Sequence, residues 1–211
     1  TMHLILTHEK ADFDAVASLL AVRLLHPEAL AVLPRRLNRN VRAYLTLYGE
    51  HLPFEEFQDL TRSRVDRLTL VDTQSLISVK GVSKNTDVHV IDHHPEDDGL
   101  DPSWTLHLED LGATTTILVE TLRQENIKID LVTATLLLLG IYEDTGSLSY
   151  ASTSARDARA AAWLLEIGAS LDIASPFLNH PLSPEQQDLF KELFESAETL
   201  EIHGLSIVIA S

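Results

Sequence analysis

The chain has 211 residues, 45% apolar and 23% charged, with no cysteine and a formal net charge of −16. This suits a globular protein with a core of normal size, excludes disulfides and thiolate metal sites, and fits a cytoplasmic location. So large an acidic excess disfavours binding to a long polyphosphate backbone unless cations or a local basic patch intervene. In chain order, residues 3–8 (HLILTH) read as a short buried strand and 14–26 as a helix, with Asp12 or Asp14 capping its start. A strand at 29–33 and a helix at 38–48 follow. The segments 68–72 (LTLVD) and 87–92 (DVHVID) are apolar strands, each ending on an aspartate. Helices are predicted at 113–125, 131–143, 154–167 and 184–198. The last starts on Ser183, Pro184 and Gln186, a capping pattern with proline at the first helical position. Around His203-Gly204 two β-like runs read as a hairpin.

No apolar run reaches the roughly 18–20 residues of a membrane span, and TMHLILTHEK is too short and too polar for a signal peptide. Strands alternating with helices predict an α/β fold: a mostly parallel sheet flanked by helices, with right-handed crossovers. Binding crevices in such sheets lie beyond the carboxyl ends of the strands. His8, Asp72 and Asp92 all fall where apolar strands end, so they are expected to converge on one edge. The organisation expected is a main domain over 1–182, a connecting helix over 183–198, and the first strands of a truncated second domain over 199–211. The basic residues cluster: seven of the 16 Lys and Arg lie between positions 35 and 67, namely Arg35, Arg36, Arg39, Arg42, Arg62, Arg64 and Arg67. Such a run can meet a phosphate, or simply form one basic helix face.

Four segments carry the chemistry. In THEKADFDA, His8 ends a strand while Asp12 and Asp14 sit on the turn into the next helix. Alone, two such aspartates read as helix caps. In LTLVDTQ, Asp72 lies at the crevice edge. In VHVIDHHPEDD, two adjacent histidines follow a buried strand, and packing does not account for them. One imidazole can bind a metal while Asp92 or a backbone carbonyl fixes its tautomer. In LLLLGIYEDTGSLSY, Asp144 stands at a helix carboxyl end, where the dipole is already negative and Glu143 adds to it, so cations would offset the repulsion. Carboxylate and imidazole donors without sulfur suit Mn²⁺, Fe²⁺, Co²⁺ or Zn²⁺. Gly112-Ala113-Thr114-Thr115 opens a helix whose N–H groups can bind a substrate anion through Thr114 and Thr115, or can carry a plain Thr cap.

These motifs, in this order over residues 8–147, resemble the DHH phosphoesterase superfamily of RecJ-like nucleases, oligoribonucleases, cyclic-dinucleotide phosphodiesterases and family II pyrophosphatases. THEKADFDAVASLLA is most similar to the subgroup fused to CBS and poly(A)-polymerase-like nucleotidyltransferase domains, which implies a longer multidomain chain. Two departures stand out: Phe13 replaces a small residue, and Ala17-Ser18 replaces Gly-Ser. Phe13 is therefore expected either to narrow the site or to pack beneath it. The family's glycine-rich loop with a histidine, part of its second domain, does not occur in these residues.

The resemblance implies two divalent cations, Mn²⁺ first and Co²⁺ or Mg²⁺ as alternatives. His8 and Asp12 would hold one, Asp14, His93 and Asp144 the other, and Asp72 would bridge them. Asp92 would orient an imidazole and His94 would serve as the acid, beside a bridging hydroxide that attacks phosphorus. The expected activity is phosphodiester hydrolysis in a short nucleotide, a nanoRNA or cyclic dinucleotide, or another phosphorylated small molecule; a homodimer is compatible. A phosphoanhydride hydrolase (pyrophosphatase or exopolyphosphatase) is the alternative enzyme. A nucleotide-sensing regulatory module of a larger transferase is the alternative from another class, and the intact donor set argues against it.

Overall fold

The computed structural model describes residues 2–57, 64–76, 79–178 and 184–210. They form two compact units, Thr1–Leu178 and Asn179–Ser211. The first holds β1 (Met2–Leu6), α1 (Phe13–Leu25), β2 (Leu30–Leu33), α2 (Arg39–Tyr48), β3 (Phe54–Glu56), β4 (Val65–Val71), β5 (Asp87–Asp92), β6 (Thr105–Leu108), α3 (Thr114–Gln124), α4 (Leu131–Thr145), α5 (Ala155–Glu166) and α6 (Leu171–Leu178). No helix among the described residues is long and apolar enough to cross a membrane.

All six strands are parallel, in the order β3-β2-β1-β4-β5-β6. The chain runs outward from β1 in one direction, then returns to lay β4 on its other side. Between β1 and β4 the order reverses, and a crevice opens where successive connections leave toward opposite faces. The sequence pattern finds the four interior strands and misses β3 and β6, which are the two edges. An edge strand needs no continuous apolar run: β3 has three residues, and β6 (TLHL) alternates exposed Thr105 and His107 with half-buried Leu106 and Leu108. The expected α/β architecture is the one observed.

Two apolar cores lie on the two faces of the sheet. On one, Leu4, Leu6, Leu68, Leu70, Val88 and Val90 pack together. On the other, Ile5 and Val71 meet α1, α3 and α4. Helix α1 is buried on every side from Phe13 to Val22, so it forms the centre of this layer rather than its surface. Its crossing with α4 depends on Gly140, where an added Cβ would come within 2.7 Å of the Ala17 Cβ and 2.6 Å of the Thr115 hydroxyl. Helix α6 escapes the sequence pattern because it is eight residues long with Pro176 inside it.

The second unit consists of α7 (Pro184–Glu195) and an antiparallel hairpin of β7 (Glu198–Ile202) and β8 (Leu205–Ile209). Proline stands at the first helical position as the pattern predicts; Ser183 lies outside the described residues. The turn residues His203 and Gly204 both take positive φ, the conformation a two-residue hairpin turn requires.

Candidate functional site

The crevice at the β1/β4 switch point is assembled from strand ends and helix starts. His8 follows β1, and Asp12 is the N-cap of α1, its carboxylate accepting from the Ala15 N–H at 3.0 Å. The chain end of β4 turns sharply at Asp72, whose φ of 53° is left-handed, a conformation aspartate tolerates better than most residues. That turn leaves the Asp72 carboxylate buried at the mouth of the sheet. Its Oδ2 lies 3.3 Å from His8 Nε2 and its Oδ1 3.6 Å from His93 Nε2, so one oxygen faces each histidine.

Donor atoms from His8, Asp12 and Asp72 lie within 4.8 Å of one another, and so do donor atoms from Asp14, His93 and Asp144. His93 Nδ1 donates to the Leu111 carbonyl at 3.0 Å, which directs Nε2 inward. There Nε2 is buried and makes no hydrogen bond. It is ringed by Asp144 at 3.3 Å, Asp72 at 3.6 Å and Asp14 at 4.0 Å. A buried nitrogen without a hydrogen bond amid three carboxylates fits a divalent cation, which takes donors of both kinds.

The electrostatics point the same way. The hydrogen bond to Asp72 lifts the His8 pKa to about 9 against the effect of burial. Burial pulls His93 down, yet Asp144, Asp14 and Asp72 together raise it to about 10. Burial raises Asp12, and raises Asp14 well above the carboxylate range, with Asp72 and Asp144 adding to both. Protons gather where positive charge is lacking.

His94 is held differently from His93. Its Nδ1 lies 2.8 Å from Asp92 Oδ1, which also accepts the backbone N–H groups of His93 and His94. Burial works against the Asp92 charge, but hydrogen bonds from His94 and Gln74 keep its pKa below the usual range. The half-exposed His94 ring keeps Nε2 for a partner in the crevice, a cavity of about 550 Å³ lined also by His8, Asp12, Asp72, Gln74 and Asp144. The imidazole that Asp92 orients is thus that of His94; His93 is oriented by a carbonyl.

Thr114 and Thr115 stand elsewhere than expected. Both are fully buried, and their N–H groups donate to the two oxygens of Asp14, each at 2.8 Å. The Thr114 hydroxyl donates to Asp72 Oδ1 at 3.0 Å. The α3 N-terminus does bind an anion, but the anion is Asp14, so a substrate phosphate has no access to these donors. Phe13 packs beneath the site, edge-on to Tyr44 and Phe177, and does not narrow it.

Sequence reasoning missed Gln74 altogether, and noted Glu143 only as a charge beside Asp144. Buried Gln74 donates to Asp92 at 2.9 Å and to the Pro95 carbonyl at 2.9 Å, and accepts from the Asp97 N–H. It ties the turn after β4 to the turn after β5. Its only signal was its place two residues past Asp72. Glu143 accepts from the Phe13 N–H and from Asn38, joining α4 to the starts of α1 and α2. Burial, with Asp12 and Asp144 nearby, lifts its pKa to about 7.

The basic run does not form one patch. Arg35 and Arg42 line a cleft of about 430 Å³ beyond the carboxyl end of β2, next along the sheet edge from the crevice. Arg64 and Arg67 lie near the amino end of β4 and pair with Asp66 and Asp87. Arg62 lies outside the described residues.

Fold and donor set define the class: an α/β protein with a carboxylate–imidazole crevice at the topological switch point of a parallel sheet. Residues 3–141 match the DHH family, N-terminal domain, and the chain belongs to that family. It is 38% identical over 216 aligned residues to the A-adding tRNA nucleotidyltransferase of Geobacter sulfurreducens, a match covering 99% of this chain and 24% of that protein. It is 38% identical over 90 residues to the bifunctional oligoribonuclease and PAP phosphatase NrnA of Mycoplasma genitalium, covering 43% of this chain and 28% of that one. Among solved structures, an exopolyphosphatase-related protein from Bacteroides fragilis has the same fold, with a TM-score of 0.72 at 15% identity, covering 93% of this chain and 62% of that one. The chain spans about a quarter of the length of the A-adding relatives it matches.

Proposed function

We propose that this chain hydrolyses a phosphodiester bond in a short nucleotide, with His8 and Asp12 holding one divalent cation, Asp14, His93 and Asp144 a second, and Asp72 shared between them. The observation that carries this reading is the Asp72 carboxylate, which turns one oxygen toward His8 and the other toward His93. Mn²⁺ suits the mixed oxygen and imidazole donors best. When bound, such a pair supplies Lewis acidity and offsets the charge that develops on the phosphoryl group.

The protein's own groups do the rest. Asp92 accepts at His94 Nδ1 and favours the protonated ring, which then presents a proton at Nε2 to the leaving oxygen. Gln74 holds Asp92 in place. The Asp14 carboxylate, fixed by two backbone N–H groups, cannot swing away when a substrate enters.

The charge of the crevice favours a diester over a phosphoanhydride. No Lys or Arg is among the described residues that line it. A diester carries one negative charge per phosphate, whereas pyrophosphate brings three or so and needs cationic side chains around it. NrnA, similar over residues of this chain, is named for oligoribonuclease and phosphatase activities, which agrees with a short nucleotide. The test is hydrolysis by the Mn²⁺-loaded protein of dinucleotides, cyclic dinucleotides and pyrophosphate side by side. Turnover of either nucleotide class, with pyrophosphate left intact, is expected; the reverse pattern would replace this reading with the phosphoanhydride one.

A further inference from the structure

At the opposite end of β1 from the crevice, His3 is buried at 7% exposure and its ring is satisfied on one side only. Nε2 lies 2.9 Å from the Thr69 hydroxyl. Nδ1, also cut off from solvent, makes no hydrogen bond. It faces Glu28 Oε1 at 3.7 Å, and that same oxygen lies 3.8 Å from His26 Nδ1. These separations are too long for hydrogen bonds. The His3 and His26 rings meet edge-on, 5.4 Å between centroids, and one donor atom from each of the three residues lies within 4.8 Å of the others.

We propose that His3 Nδ1, His26 Nδ1 and Glu28 Oε1 form a further cation site, for Zn²⁺ or a similar transition ion that prefers imidazole. Bonds of about 2.0–2.1 Å at tetrahedral angles place donors roughly 3.3–3.4 Å apart. The two spacings to Glu28 Oε1, 3.7 and 3.8 Å, exceed this by a few tenths of an ångström, and the two imidazole donors lie within 4.8 Å of each other. Rotations of the two more exposed side chains, His26 and Glu28, close these gaps. Burial, followed by His26 and Arg67, holds the His3 pKa below its ordinary value, so its ring is neutral and able to ligate near pH 7. With the Nε2–H donated to Thr69, the lone pair is left on Nδ1, where the site needs it.

The site is distinct from the crevice. His3 opens β1 and His8 follows its end, on the order of 15 Å apart at strand rise. Asp12 caps the start of α1 and His26 its end, roughly 20 Å apart at helical rise. An ion here staples the start of β1 to the carboxyl end of α1, the two elements that lead to or carry His8, Asp12 and Asp14. His3 and His26 also line a cavity of about 240 Å³ together with His89, His107 and Arg67. Those three already have partners: His89 and Arg67 pair with Asp87, and His107 with Glu109. They therefore serve as controls rather than competing ligands.

The test is Zn²⁺ content after equilibrium with buffered free Zn²⁺, measured by elemental analysis in an Asp72→Ala background that weakens the crevice. His26 and Glu28 are exposed enough for substitution without loss of the fold. Adding His26→Ala or Glu28→Gln should remove one equivalent of Zn²⁺ and reduce the rise in Tm that Zn²⁺ produces in that background, whereas adding His107→Ala should leave both unchanged. Equal Zn²⁺ content with and without His26→Ala would reduce the trio to an ion pair and overturn the site. Loss of the equivalent in the His107→Ala protein would overturn the ligand assignment. Because the comparison is made within one background, neither result depends on what the crevice binds.

Discussion

The Asp72 carboxylate and the His8 imidazole, 64 residues apart in the chain, lie 3.3 Å from one another across the β1/β4 switch point. The other oxygen of Asp72 faces His93, so removing this one side chain opens both donor groups at once. Asp72→Ala should reduce Mn²⁺ binding from about two equivalents per chain to less than one, read by titration calorimetry. Two retained equivalents would show that Asp72 bridges nothing.

The adjacent histidines separate by their partners. His93, buried and aimed at three carboxylates, should lower metal affinity when changed to Ala. His94, half exposed and paired with Asp92, should leave both cations in place but slow turnover by roughly 10²–10⁴-fold, the usual range for a general acid. Metal content and kcat measured on both variants decide the matter; equal metal loss in the two would remove the distinction.

Much of this geometry was legible in the sequence, and what was not has a physical reason. Interior strands bury both faces and read as apolar runs, so the points where they stop, at Asp72 and Asp92, mark the crevice edge. The two edge strands carry no such run. Asp14 reads as a helix-start aspartate; its partners Thr114 and Thr115 lie 100 and 101 residues away, and only the packing of α1 against α3 brings them together. That contact turned a predicted anion site into an internal one. The division of the basic run follows from β4: the segment crosses the sheet, and so places Arg35 and Arg67 at opposite ends of it.

Protons report on the same crevice. The metal-free pKa values of His8 and His93 are about 9 and about 10, both raised from 6.5, so both rings are protonated at neutral pH. Cations must displace these protons, so affinity should rise as pH climbs from 6 toward 9. The same raised values stabilise the metal-free fold fully below 6.5, with the contribution lost as pH rises through 9 and 10. Calorimetry at pH 7 in buffers of different ionisation enthalpy should count at least two protons released for full loading, one from each ring, with Asp14 adding to them. Release of none would mean that neither histidine is a ligand.

The Arg35–Arg42 cleft supplies the last prediction. It begins where β2 ends, and β2 is hydrogen-bonded to β1, so cleft and crevice are neighbours on one sheet edge. The Arg35 guanidinium lies over the Phe57 ring, 4.8 Å from its centroid, which fixes its direction at little conformational cost. Asn38, the cap of α2, bonds to Glu143 on α4, and so anchors the start of the helix that carries Arg42. A protein of net charge −16 offers a nucleotide few other cationic contacts. A phosphate beyond the scissile bond should therefore settle here, outside the reacting centre. Contacts of that kind hold substrate and transition state equally, so their loss raises KM and spares kcat. Arg42→Ala should raise KM for a trinucleotide by roughly two- to fivefold, the scale of one exposed charge contact. The effect should shrink at high salt, since screening weakens the same contact in the unmodified protein. For a dinucleotide, which has no phosphate past the cleavage point, KM should not change. A fall in kcat with KM unchanged would mean that Arg42 acts on the reaction itself, and the cleft would then belong to the catalytic apparatus rather than to the path of the substrate.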